Sequence, residues 1–369
     1  MTISSQFNYY TKHLKGSSIM VEHRTTRIGL IGCGFYAQNH LHAWGDLKSQ
    51  NAELVAVCDQ DPIKAEAAGR RFGAAWFTDA ATMLESMPID LLDITTRMGS
   101  HRALAAMAAE RKIAMIVQKP FAPNWDECVA IVENARTHGT WLAVHENFRF
   151  ATSMRRVKAV LDSGAIGDPN WARISFRTGF DVYLGQPYLA QEDRLVILDV
   201  GIHVLDLARW LMGEVAHLSC ETQRRNPNIK AEDTATMILK HETGAVSIVE
   251  ATYEARRIPD QFPETLVEIE GTKGSIIVTR GEKMVVTTQG LSFEENIGGP
   301  LLSWTSRPWH VSQEAVLHTN AHMLTSFRAG RDAETSGVDN LKTFALVEAA
   351  YESAVSHASV KPKKWSPKA

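Results

Sequence analysis

Arg27-Ile28-Gly29-Leu30-Ile31-Gly32-Cys33-Gly34-Phe35-Tyr36-Ala37 is the stretch on which the reading of this chain turns. A strand-like run, Arg27–Ile31, passes directly into G-x-G-x-x-A, and a helical pattern follows over roughly Phe35–Ser49. That order of strand, glycine turn and helix is what a dinucleotide-binding turn requires. Gly32 permits the tight turn, Gly34 lets the backbone approach a pyrophosphate, and Ala37 lets the helix pack close to the strand. The backbone of Gly32, Cys33, Gly34, Phe35, Tyr36 and Ala37 then opens a helix whose N-terminus offers N–H donors and positive potential to an anion.

The neighbouring sequence repeats the alternation. Leu54–Cys58 reads as a second strand, and a helix follows from Pro62 to about Phe72, with proline at the first helical position. Leu91–Thr95 and Ala114–Val117 read as strands with Ala103–Arg111 helical between them. Asn124 caps a helix running to His138, and Trp141–Val144 is another strand. Continuous apolar strands alternating with helices predict a parallel sheet buried on both faces. Asp59, at the end of the second strand, is placed to accept both ribose hydroxyls of the adenosine and to repel a 2′-phosphate. NAD is therefore expected as cofactor, with NADP disfavoured.

After about residue 147 the pattern changes. Helices are expected over Met154–Ser163 and Leu198–Met212. Strands follow closely at Trp171–Thr178, Ala216–Arg224, Thr234–His241, Ala245–Tyr253, Thr265–Glu270 and Ser275–Thr279, and two helices close the chain near Ser312–Ala329 and Val338–His357. Gly244 and the Gly271–Gly274 pair mark turns between strands, so the second sheet is expected to be antiparallel or mixed. The fold class is thus α/β: a Rossmann dinucleotide-binding domain over 25–146 and an α+β substrate domain over 147–369. Residues 1–24 are polar, lack the apolar segment of a secretory signal, and are expected to be a flexible extension.

Composition narrows the function classes. The 369 residues are 44% hydrophobic and 22% charged, enough for two cores. A net charge of −3 provides no broad basic field, so neither nucleic acid nor an anionic membrane is expected as a partner. No apolar run approaches the ~18–20 residues of a membrane span. Cys33, Cys58, Cys128 and Cys220 form no C-x-x-C pair, and the expectation is buried thiols in a reducing cytoplasm.

Two clusters carry the chemistry. Gln118-Lys119-Pro120 follows the strand before the helix at Asn124, and ligands of an open parallel sheet sit beyond the carboxyl ends of its strands. Asp199-Val200-Gly201-Ile202-His203 places an acid and an imidazole four residues apart, on one face if helical. His203 is then the candidate general base for a substrate hydroxyl. Asp199 binds substrate or tunes the imidazolium, and Lys119 stabilises the developing alkoxide. Asp199, His203 and Asp206 lack convincing further ligands for a metal, and none is expected. Asn147 and Arg149, at the junction of the two halves, either bind substrate hydroxyls or staple the domains. His101, after Thr96, either faces the cofactor or packs at a helix start.

Together these residues resemble the Gfo/Idh/MocA oxidoreductase family. Gly32–Ala37 is similar to its glycine loop, Asp59 to its ribose acid, and Asp199 with His203 to its D-x-x-x-H pair. Thr96 and His101 match T-P-x-x-x-H with Arg97 in place of proline; Lys119-Pro120 matches E-K-P with Gln118 in place of glutamate. Glu270–Ser275 resembles the G-T-x-G turn. The resemblance implies an open-faced second sheet that mediates a homodimer or homotetramer, and a catalytic set of Lys119, Asp199 and His203. It places Thr96, His101, Gln118 and Lys119 beside the cofactor, with a sugar or polyol as substrate. Two other activities fit the same pattern: an NAD-dependent glycosidase and a non-catalytic sensor.

Overall fold

The computed structural model describes residues 24–260 and 262–367; the extension expected over 1–24 lies, but for its last residue, outside them. Six parallel strands form the first sheet: β1 (Thr26–Ile31), β2 (Ala52–Cys58), β3 (Ala75–Phe77), β4 (Leu91–Ile94), β5 (Ala114–Gln118) and β6 (Leu142–His145). Their order is β3-β2-β1-β4-β5-β6. The order in which strands are added therefore reverses between β1 and β4, and the crevice at their carboxyl ends is where such sheets bind ligands. All four residues of β4 and all five of β5 are buried, as expected of strands covered on both faces.

Local signals fix the helices on this sheet. α1 (Ala37–Asp46) starts immediately after the glycine turn. In α2 (Pro62–Phe72) the Asp61 side chain caps the Ile63 N–H, and Gly73 ends the helix in the left-handed region. The short α3 (Ala80–Ser86), begun by an Asp79 cap, and β3 were not expected, because β3 is only three residues and exposes Ala75 and Trp76. α4 (His101–Glu110) and α5 (Trp125–His138) follow, the latter capped by Asn124 on the Glu127 N–H at 3.0 Å.

After α6 (Thr152–Asp162), eight strands build the second sheet: β7 (Pro169–Arg177), β8 (Val215–Gln223), β9 (Thr234–His241), β10 (Val246–Thr252), β11 (Thr265–Gly271), β12 (Gly274–Thr279), β13 (Lys283–Thr288) and β14 (Leu291–Asn296). The order is β14-β13-β12-β11-β7-β10-β9-β8, antiparallel except where β7 meets β10. β13 and β14 are additions to the expected set. β14 is a largely exposed edge without alternating burial, and its hairpin turn is Gln289-Gly290, both at positive φ. That geometry suits a two-residue primed turn, but glutamine is not its usual signal. α7 (Ile202–Met212) packs on the inner face of this sheet against β7 and β10.

The last two helices, α8 (His310–Arg328) and α9 (Gly337–Ser356), join the halves. α8 packs on α1, and Met323, Leu324 and Ala333 share a core with Ile28, Leu30 and Trp44. Arg328 fixes the register, donating to the Thr26 hydroxyl at 2.9 Å and to the carbonyls of Gln50 and Asn51 at 2.7 Å. Residues near the end of the chain thus cover the first sheet.

Candidate active site

The glycine turn holds the conformation its sequence demands. Gly32 sits at φ +96°, and a Cβ there would lie 2.9 Å from the Thr95 carbonyl carbon and the Thr96 nitrogen. A Cβ on Gly34 would meet nothing within 4 Å, so the backbone there faces open space where a pyrophosphate can approach. Ala37 is buried at the start of α1, while Phe35 is largely exposed. Asp59 closes the turn. One of its oxygens accepts the Cys33 N–H at 2.7 Å and the other the Asp61 N–H at 2.9 Å. The carboxylate is half-buried and each oxygen keeps a lone pair for a ribose hydroxyl.

Beyond β5, Lys119 turns toward the second half. Its Nζ donates to Asp199 Oδ1 at 2.8 Å and to the Asp199 carbonyl at 2.7 Å. The Tyr253 hydroxyl, just past β10, donates to Asp199 Oδ2 at 2.6 Å. Burial works against the Asp199 carboxylate, but the Lys119 charge and these hydrogen bonds outweigh it and hold the carboxyl below its usual range. Asp199 lies in a π-helical turn, Ile197–Gly201, that runs into α7, rather than in the regular helix expected over Leu198–Met212. Such wide turns recur where a side chain must be re-aimed at a site.

His203, in the first turn of α7, is brought to the same place. Its ring stacks on Phe148, centroids 3.9 Å apart and planes parallel, and its Nδ1 meets Glu146 Oε1. Burial, and then the Lys119 charge, push the imidazole well below its ordinary range. Burial, and then neighbouring Asp206, push the Glu146 carboxyl up to about 8. Asn147 is buried beside them, its carboxamide without a well-formed hydrogen bond. Across the cleft, the Arg97 guanidinium lies 4.1 Å from the centroid of the Tyr188 ring.

Four residues expected as ligand contacts have polar atoms engaged by the protein itself. His101 is fully buried, with Nδ1 3.1 Å from the Phe121 carbonyl and Nε2 3.0 Å from that of Thr96. It ties the loop after β4 to the loop after β5 and has no ring nitrogen left for a cofactor. Thr96 itself contributes that carbonyl and accepts the Ser100 hydroxyl at 2.7 Å. Gln118 spends its carboxamide internally: Nε2 lies 2.9 Å from His40 Nε2, and Oε1 accepts the Lys119 N–H at 2.6 Å. His40 continues to Asp93 at 2.8 Å, so Gln118 anchors the backbone of Lys119 to a buried polar chain. Arg149, expected at the substrate or as a staple, is the staple. It forms a bidentate pair with buried Asp206 at 2.5 and 2.6 Å and reaches Asp339 at 3.0 Å. A buried fork–fork pair of this kind holds its guanidinium away from any ligand.

The residues missed from the sequence are Glu146, Phe148, Tyr188 and Tyr253. A signal existed for Glu146: it follows β6 as Lys119 follows β5, at the same edge of the sheet. Tyr253 lies one residue past β10 of the second sheet, and only the packing of the Ile197–Gly201 turn against that strand brings it to Asp199.

Comparison with known proteins agrees with this geometry. Residues 26–146 match the oxidoreductase family, NAD-binding Rossmann fold, and residues 154–277 match the GFO/IDH/MocA C-terminal domain. The chain belongs to the Gfo/Idh/MocA oxidoreductase family, and is an NAD-dependent dehydrogenase. It is 48% identical over 332 residues to a D-apiose dehydrogenase of Rhizobium rhizogenes, covering 90% of this chain and 96% of that one. A D-apiose dehydrogenase of Paraburkholderia graminis is 44% identical, covering 88% and 86%. Among solved structures, an oxidoreductase from Agrobacterium radiobacter in complex with NAD+, L-tartaric acid and magnesium superposes with a TM-score of 0.89 at 47% identity, covering 91% of this chain and 98% of that one.

Proposed function

We propose that this protein oxidises a small aldose, D-apiose or a sugar close to it, at a hydroxyl-bearing carbon, aldose to lactone. The observation that carries the reading is the cluster of Lys119, Asp199, Tyr253 and His203 at the carboxyl edge of the first sheet, beside a glycine turn that leaves room for a pyrophosphate. Two D-apiose dehydrogenases similar over nearly the whole chain support the choice of sugar.

The site residues divide the work. Gly32–Ala37 and Asp59 would hold NAD, which when bound supplies the hydride acceptor. Lys119, fixed by Asp199, donates toward the reacting oxygen and stabilises negative charge as it develops. His203 takes the hydroxyl proton at Nε2, which has no partner among the described residues. Asn147, buried with its carboxamide beside the Tyr36 hydroxyl, is a ligand for a second hydroxyl. In the same reading, 25–146 serves the dinucleotide and 147–369 the sugar, and the enzyme works in the cytoplasm as a homodimer or homotetramer.

The test is a panel of aldoses, polyols and glycosides followed by NADH absorbance. D-apiose should give the highest kcat/KM. A clearly higher value for an inositol would move the substrate class to polyols. Release of an aglycone without net NADH would replace the dehydrogenase reading with a glycosidase.

A further inference from the structure

The buried contact between Glu146 and His203 has no part in the division of labour above. We propose that the two side chains act as one base: as His203 Nε2 takes the proton of the substrate hydroxyl, the proton on Nδ1 passes to Glu146 Oε1. The proposal rests on the dehydrogenase reading with His203 as base. Glu146 acts through His203, orienting its ring and storing a proton, and does not touch the substrate.

The geometry sets the ring. Phe148 stacks flat on the imidazole, and the Phe148 N–H donates to the same Glu146 Oε1 at 3.3 Å. With Glu146 ionised, Nδ1 carries the hydrogen and donates it to the carboxylate. Nε2 is then left as a lone pair, the form that a base needs. Glu146 is fully buried and His203 nearly so, and Glu146 Oε2 has no hydrogen-bond partner. A buried carboxylate with one bare oxygen gains by accepting a proton.

This resolves a difficulty of the site. An imidazolium is disfavoured at His203 by burial and by Lys119, so an isolated histidine here is a weak base. Burial and Asp206 give Glu146 the proton affinity that His203 lacks. In hydrolytic triads the buried carboxylate stays unprotonated; Glu146 differs in leaving Oε2 buried without a donor. The atoms balance. The substrate O–H and the His203 Nδ1–H bonds break, and Nε2–H and Glu146 O–H bonds form. The hydride leaving the carbon goes to the oxidant already assigned, and no further reactant is needed. Charged and titratable groups face the pair from every side: Lys119 beyond β5, Asp199 and Asp206 before and within α7, Arg149 after Phe148, and Tyr36 from the glycine turn.

The sign of the pH dependence follows. The pair is a base only while it holds a single proton, so kcat/KM falls as pH drops through the region near 8 where Glu146 loads. Glu146→Gln still accepts the Nδ1 hydrogen bond but cannot take the proton. Its plateau should fall about 10²-fold, with the acid limb displaced to lower pH and the NAD dissociation constant unchanged. Glu146→Asp should bring the limb back toward its wild-type position. Without substrate, infrared difference spectra between acid and alkaline pH should show a carboxylic-acid C=O band that Glu146→Gln lacks. If Glu146→Gln fails to fold, Glu146→Asp carries the test, since its carboxylic-acid band should move in frequency while its limb stays near the wild-type position. Rates lost with the limb in place and the band retained would overturn the proposal and leave Glu146 a packing residue. His203→Ala with near-normal turnover would instead overturn the base reading beneath it.

Discussion

Lys119 shows what a single residue can be read for. Its position after a strand at the ligand edge was legible, and so was the chemistry of an ammonium beside a reacting oxygen. Its hold on both the carboxylate and the carbonyl of Asp199 was not, because those contacts come from a turn eighty positions away. The same limit applies to Gln118 and His101. Motif matching places them beside the cofactor, yet side-chain direction is decided by the buried partners that claim their polar atoms. Replacing Lys119 with Met should reduce kcat by about 10²–10³-fold, the usual loss for one donor to a developing oxyanion. The charge of Lys119 lowers the proton affinity of Asp199, His203 and Glu146 alike. Without it all three bind protons more tightly, so the acid limb of kcat/KM should move to higher pH. A pH–rate profile that loses height without that displacement would mean Lys119 acts by packing alone.

At the scale of elements, the glycine turn separates two requirements that a motif fuses. Gly32 is needed by the fold, because its positive φ and the nearby Thr95–Thr96 backbone leave no place for a methyl group. Gly34 is needed by the ligand, because a methyl there meets nothing in the protein. Gly34→Ala should therefore leave the melting temperature within about a degree or two and weaken NAD binding at least tenfold, about 1.4 kcal/mol. Gly32→Ala should lower both, with a stability loss of about 1–3 kcal/mol. Thermal unfolding and NAD titration of the two variants check this; equal losses of stability would show that the turn is strained at both positions. Most helices and strands were readable from period and caps, as the Asn124 and Asp61 caps show. The π turn at Ile197–Gly201 was not, since its sequence carries the same apolar spacing as the helix it enters.

The whole molecule raises the matter of the second sheet's outer face. Helices cover the inner face, while the outer one carries a cross-strand row of Ile238, Ile248, Arg173, Glu268, Ile277 and Val285 running from β9 to β13. Ile238 is 54% exposed, and Trp171 and Val246 extend the apolar surface in the next row. Edge effects do not explain such residues in central strands, where alternation otherwise puts polar side chains outward. A surface of this extent is suited to a second copy of the chain meeting it face to face across a twofold axis. Arg173 pairs with Glu250 on the same face, at 2.9 Å, so these two charges offset each other within the chain. Light scattering at micromolar concentration should give a dimer or a tetramer. Ile238→Glu, together with Ile248→Glu, would place two carboxylates from each subunit in the contact. The assembly should then dissociate to monomers whose inner core, and so secondary structure, is unchanged. An unaltered mass for the double variant would mean that the subunits meet elsewhere. A wild-type chain that stays monomeric over a hundredfold range of concentration would leave the outer face without a partner of its own kind.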